Sequence, residues 1–252
     1  MDEIFEEESR YEVYEDLLLE RDRLEKEADQ IWIAYLGRFG KLITDGFEMK
    51  IECIKCKKCI AYYQKVLNHG GIIDTAELEH RLQLEMTGYY AELDALMQQK
   101  SCADEAKPVS AYEVNRARTI YRRLAKMIHP DTHPQLEQSE ELMELWQRIM
   151  DAYHGNRARE LAELEVLVRK YLKEEGITVE RAVIPDIEER IEAVEEDIET
   201  IKNTEPYTLR PYVEDEEKAR AKEAELQAEL DGYRKYKEEL DGIILQILAN
   251  GK

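Results

Sequence analysis

Apolar residues recur at helical spacing along almost the whole chain. Leu17, Leu24 and Ile31 repeat every seven residues, with Ala28 and Tyr35 at intervening stripe positions, which predicts a long amphipathic helix over about 5–36. Gly37, Gly40 and Gly46 are expected to loosen the chain before a second helix over about 47–68, ending at Asn68-His69-Gly70-Gly71. Asp74 followed by Glu77 reads as a capping box for a third helix to about 98. None of the three can bury its stripe alone, so residues 1–100 are expected to form a helical hairpin or bundle.

The composition changes after Lys100, where SCADEAKPV with Pro108 suits a connector. Ser110 and Glu113 repeat the capping-box pattern and open a helix that must stop near His129-Pro130. A loop through Pro134, a helix over about 138–153 and, beyond Gly155-Asn156, another to about 173 complete a small domain over 108–175. Ile187, Ile191, Val194, Ile198 and Ile201 are then spaced four, three, four and three. After PYTLRPY comes a facing stripe of Leu226, Tyr233, Tyr236, Leu240, Ile243 and Ile247. The two stripes predict an antiparallel coiled-coil hairpin over 185–250, begun at Pro185-Asp186. The preceding ITVERAVI alternates weakly and reads as an extended stretch without a partner strand. The expected fold class is all-α.

Charge narrows the function. The 57 acidic against 36 basic side chains of the 252-residue chain leave a formal charge of −21, which repels nucleic acid and anionic lipid unless a local basic patch overrides it. An apolar content of 43% disfavours disorder, while 11 glycines and 6 prolines are too few for a loop-rich fold. No apolar run approaches the roughly 18 residues that span a bilayer, and MDEIFEEESR is the reverse of a basic-then-apolar signal. Four cysteines, three of them crowded, do not make an extracellular disulfide framework. The expectation is an acidic cytoplasmic protein with no nucleic-acid partner and no membrane partner.

Residues 111–128, AYEVNRARTIYRRLAKMI, depart from that acidity. Val114, Ala117, Tyr121, Leu124 and Ile128 share one helical face. The remaining surface carries Arg116, Arg118, Arg122, Arg123 and Lys126 against Glu113, five cations to one acid, or +4. Such a row is either a solvated face or an electropositive docking surface for an acidic partner. The helix runs directly into His129-Pro130-Asp131, where proline forces a turn beside the basic row. His129 and Asp131 could exchange protons, but no nucleophile, second acid or ligand set stands at a readable spacing, so enzymatic activity is not expected.

The stretch YRRLAKMIHPD at 121–131 resembles the J domain of DnaJ-like co-chaperones, and WQRIMDAY at 146–153 resembles the third-helix signature of that family. The resemblance covers residues 110–173. It implies two paired helices joined by the tripeptide loop, with Tyr121, Leu124, Ile128, Trp146, Ile149 and Tyr153 in their core. It further implies docking on a DnaK-type ATPase chaperone through Arg118, Arg122, Arg123, Lys126, His129, Pro130 and Asp131, which stimulates the partner's ATP hydrolysis. The chain itself would hydrolyse nothing and need no cofactor. The family's opening Tyr-x-x-Leu-Gly helix is missing before Ser110, and Tyr89, Leu93 and Leu96 are expected to cover that edge. No Gly/Phe-rich linker or zinc module follows. The alternative is a helical scaffold or adaptor that carries a degenerate J-like domain.

Cys53, Cys56 and Cys59 invite a metal reading, with Cys102, His69 or His80 as a fourth ligand. Met49, Cys53, Cys56, Ile60, Tyr63 and Leu67 instead follow a helical rhythm, which assigns the first two cysteines to a packed seam. The coiled-coil arms read as spacers or a self-association surface, or as a grip on a client or adaptor. His133, Asp151 and His154 read as exposed polar residues, and Trp32 and Trp146 as apolar-face residues.

Overall fold

A computed structural model describes residues 2–106, 108–177, 184 and 186–250. Among these the secondary structure is helical, with no strand. The ITVERAVI stretch and Pro185 fall largely outside the described residues. No helix of the described residues is long and apolar enough to cross a membrane.

The first helix, α1, runs unbroken from Asp2 to Asn68, through the three glycines expected to interrupt it. No proline occurs before Pro108, so nothing removes a helical amide or clashes with the preceding turn. Each helical glycine costs about 1 kcal/mol relative to alanine. Burial of Leu36, Phe39 and Ile51 to 1% exposure or less returns about 2 kcal/mol per side chain. Glycine alone therefore does not end this helix. It ends where expected: Gly70 adopts φ +67°, a left-handed conformation that suits glycine, and the Gly71 amide donates to Val66 O at 2.9 Å. The second helix, α2 (Thr75–Glu105), opens on Asp74, whose carboxylate accepts from the Ala76 and Glu77 amides.

Among the described residues six further α-helices follow: α3 (Ala111–Ile128), α4 (Glu140–His154), α5 (Ala158–Glu174), α6 (Ile187–Asn203), α7 (Arg210–Glu214) and α8 (Glu216–Asn250). A 3₁₀ turn over Pro134–Gln138 precedes α4, and Ser139 caps it by accepting from the Leu142 amide.

The chain divides into two compact units whose limits cut across the three expected segments 1–100, 108–175 and 185–250. One unit holds residues 1–30 and 107–208. Its larger core joins α3, α4 and α5 through Ala117, Tyr121, Leu124, Ile149, Leu161 and Val168, with Leu19 of α1 added. A second cluster sets Tyr11, Tyr14, Leu18 and Leu24 of α1 against Ile184, Ile191, Val194 and Ile198. The stripe of α6 thus packs on α1, whereas the sequence assigned it to the helix near the C-terminus.

The other unit holds residues 31–106 and 209–252. Here Phe47, Ile51 and Ile54 of α1 pack against Met86 and Leu93 of α2. The α8 stripe meets α1 as well, placing Leu240, Tyr233 and Ile244 beside Cys53, Cys56 and Ile60. Tyr236 and Ile243, expected in the α8 stripe, are exposed. Leu93, expected to cover the edge of the small domain, is buried within this second unit, and Leu19 of α1 covers that edge instead.

Candidate functional site

The basic row lies on α3, whose N-terminus is fixed by Ser110 Oγ accepting from the Glu113 amide at 3.2 Å. Ala117, Ile120, Tyr121, Leu124, Ala125 and Ile128 face the core. Arg116, Arg118, Arg122, Arg123 and Lys126 stand on the exposed side, as a 3.6-residue period requires.

The loop after α3 is tightly wired. The Thr132 and His133 amides both donate to His129 O, at 3.1 and 2.9 Å. The Asp131 amide donates to His129 Nδ1 at 3.1 Å, which assigns the imidazole proton to Nε2. His129 turns inward: its side chain is 6% exposed, and its ring meets Trp146 edge-on at 4.8 Å. Asp131 is 38% exposed. The loop is therefore half-covered, with His129 turned into the fold and Asp131 partly in solvent. His133 departs from expectation, being buried with Nε2 3.1 Å from Lys126 O, and burial pushes its pKa down.

What covers the loop is α1. Glu15, Leu19, Asp22, Lys26 and Asp29, spaced four, three, four and three, face the small domain. Asp22, 1% exposed, accepts from the Tyr121 hydroxyl, and its Oδ2 lies 3.5 Å from His129 Nε2. Burial pushes the Asp22 carboxyl up, but His129, Tyr121 and Arg21 together outweigh burial and hold it below the usual carboxylate range. Arg21 Nη2 bridges Asp22 Oδ1 at 3.3 Å and Asp131 Oδ2 at 3.1 Å. The Tyr121 phenol is held well above its ordinary pKa by burial and by Asp22, so it donates to that carboxylate throughout the neutral range.

Further along, Lys26 Nζ lies 3.8 Å above the Tyr153 ring, which stacks on Tyr121 at 3.9 Å. Burial pulls Lys26 down to about 8, while the aromatic face favours its cation. Asp29 Oδ2 meets His154 Nδ1 at 2.6 Å, and His154 is half-buried where the sequence reads it as an exposed polar residue.

Toward the basic row the contacts are looser. Glu15 lies 3.3 Å from Lys126, and Asp16 3.9 Å from Arg122. Asp16, Glu20, Arg118 and Arg122 line a cleft of about 150 Å³ floored by Tyr121 and Tyr153. Arg123 points the other way, to Glu165 of α5 at 2.7 Å, and this bond holds Glu165 below the usual range.

The structure therefore brings Arg122, Lys126, His129 and Asp131 together with Arg21 and Asp22, which lie 100 or more residues away in the chain and were missed in the sequence. The signal was the seven-four-three spacing of Glu15, Asp22, Lys26 and Asp29 on α1, which by itself reads as a solvated face. Cys53 and Cys56 sit in the seam with Leu240, and among the described residues no group of three or more His, Cys, Asp or Glu side chains is placed to hold a metal ion. Comparison with family models, with curated proteins and with solved structures finds no match to this chain.

Proposed function

We propose that this chain is a co-chaperone whose small domain docks through α3 and the 129–131 loop on an acidic face of a DnaK-type ATPase, and that docking accelerates the partner's ATP hydrolysis. The observation that carries this reading is the division of α3 into two faces: six core residues on one side and five cations on the other, ending at a proline turn that leaves the Asp131 carboxylate partly in solvent. Arg122 and Lys126 keep 50% and 56% of their side chains exposed, enough to engage an acidic partner electrostatically. The acceleration itself rests on the J-domain resemblance. Chemically, this chain supplies a contact that favours one state of the partner. The arms outside the small domain would hold a client or adaptor.

One observation favours the second reading, a scaffold with a degenerate J-like domain. His129 is buried against Asp22 and Asp131 is held by Arg21, so both loop determinants are engaged within the chain. Single-turnover ATP hydrolysis by a DnaK-type ATPase, titrated with the full chain at low salt, separates the two. Docking predicts saturable acceleration that Asp131→Asn abolishes and that Arg122→Glu/Lys126→Glu or raised salt weakens. A flat response up to saturating concentration supports the scaffold.

A further inference from the structure

We infer that residues 10–30 of α1 are a built-in competitor for the docking surface, a strap that lowers the apparent affinity for the acidic partner by occupying its place. The inference rests on the docking reading above and adds regulation to the same surface.

Its warrant is the contrast between the two sides of the strap. Toward α6 the strap is mainly apolar: Tyr11, Tyr14, Leu18 and Leu24 are buried among Ile184, Ile191, Val194 and Ile198, with one exposed ion pair, Arg10 to Glu188 at 2.8 Å, at its rim. Burial of this kind needs no counter-charge and is not weakened by ionic screening. Toward α3 and its loop the strap offers chiefly charge: Glu15 to Lys126, Asp16 to Arg122, Arg21 to Asp131 and Asp22 to His129, with Leu19 the apolar contact in the core. An acidic partner that recognises Arg122 and Lys126 would meet the same cations as Glu15 and Asp16, and one that reaches Asp131 would have to displace Arg21. Strap and partner thus present like charge to Arg122 and Lys126, so each weakens the other's hold on them. The α6 packing gives the strap a second support, so its ionic contacts to α3 can open while Tyr11, Tyr14, Leu18 and Leu24 stay buried. A pre-occupied surface raises the partner concentration needed for half-maximal effect by the inverse of the fraction of molecules whose surface is free, and leaves the maximum unchanged.

The test reverses the strap's charges in the full chain, as Glu15→Lys/Asp16→Lys/Glu20→Lys, with Arg21→Glu as a second variant that repels Asp131 directly. Circular dichroism checks folding. Hydrogen exchange over 10–30 and 129–133 reads strap release without any partner, and the titration of a DnaK-type ATPase reads docking. The expected result is faster exchange in both segments and a half-maximal concentration about tenfold lower, at the same maximal turnover. Faster exchange with an unchanged half-maximal concentration overturns the strap and leaves the docking reading intact. Unchanged exchange in both variants overturns the ionic hold. Absence of stimulation by wild type and variants alike, with exchange accelerated, overturns the docking reading, and the strap is then only a clasp between helices.

Discussion

Removing the Asp22 carboxylate is the sharpest probe of how α1 is held. Asp22 is 1% exposed and serves the Tyr121 hydroxyl, His129 Nε2 and Arg21 at once. A hydrogen bond to a charged group contributes about 1.5–3 kcal/mol, and its loss here leaves a phenol and an imidazole buried without their acceptor. Asp22→Ala should therefore destabilise the unit by about 3 kcal/mol, at the lower end for breaking a buried pair because Arg21 stays 20% exposed. Asp22→Asn keeps an acceptor for Tyr121 and should cost about 1–2 kcal/mol. Tyr121→Phe retains the stack on Tyr153 and should cost about 1 kcal/mol. The Asp22→Ala/Tyr121→Phe double variant should then recover about 1 kcal/mol relative to additivity. The chain has 2 tryptophans, so Trp32→Phe leaves Trp146, 5.9 Å from Tyr121, as reporter of this unit during urea unfolding. A loss below about 0.5 kcal/mol for Asp22→Ala, the size of an ordinary surface substitution, would refute the buried clasp, as would strict additivity.

Other outcomes test separate parts of the structure. Gly37→Ala and Gly46→Ala should each stabilise the chain by about 0.5–1 kcal/mol, since an added Cβ meets nothing within 4 Å and both positions are helical; destabilisation in thermal melts would mean α1 is broken there. Asp22 and Glu165 have folded pKa values below their unfolded ones, so their stabilisation is present above about pH 4 and is lost as pH falls through the folded values. The urea midpoint should drop across that acid range, and Asp22→Asn should flatten part of the drop. Tyr153, pushed up to about 12 by burial and Asp22, works with the opposite sign: its contribution is full below about pH 10 and fades as pH rises toward 12. Exposed Cys102 should alkylate at once in the native protein, whereas Cys53 and Cys56, the latter pushed up to about 11 chiefly by burial, should react only on unfolding, as mass spectrometry of labelled peptides would show. Elemental analysis should find no stoichiometric zinc; a bound metal lost on Cys56→Ser would reverse the seam assignment.

Much of this fold could be read locally. Ser110 and Pro130 bound α3, Asp74 opens α2 and the glycine pair at 70–71 closes α1, because a cap or a proline acts on amides within one turn of itself. The apolar stripes of α6 and α8 were equally legible as faces that had to be covered. What covers them was not. Both stripes were assigned to each other because they are neighbours in sequence and match in period, yet each packs on α1. A stripe specifies an area of apolar surface and a direction, and any other stripe of similar length satisfies it. Continuity of α1 through Gly37, Gly40 and Gly46 was likewise decided by tertiary burial of Phe39 and its neighbours, which outweighs a local propensity of about 1 kcal/mol per glycine. Most of all, the charged stripe Glu15, Asp22, Lys26 and Asp29 is indistinguishable from a solvated face until Lys126, Tyr121, Tyr153 and His154 come to meet it. Charge along a helix shows which residues need partners, and only the folded chain determines whether those partners are water or the cations of a distant helix.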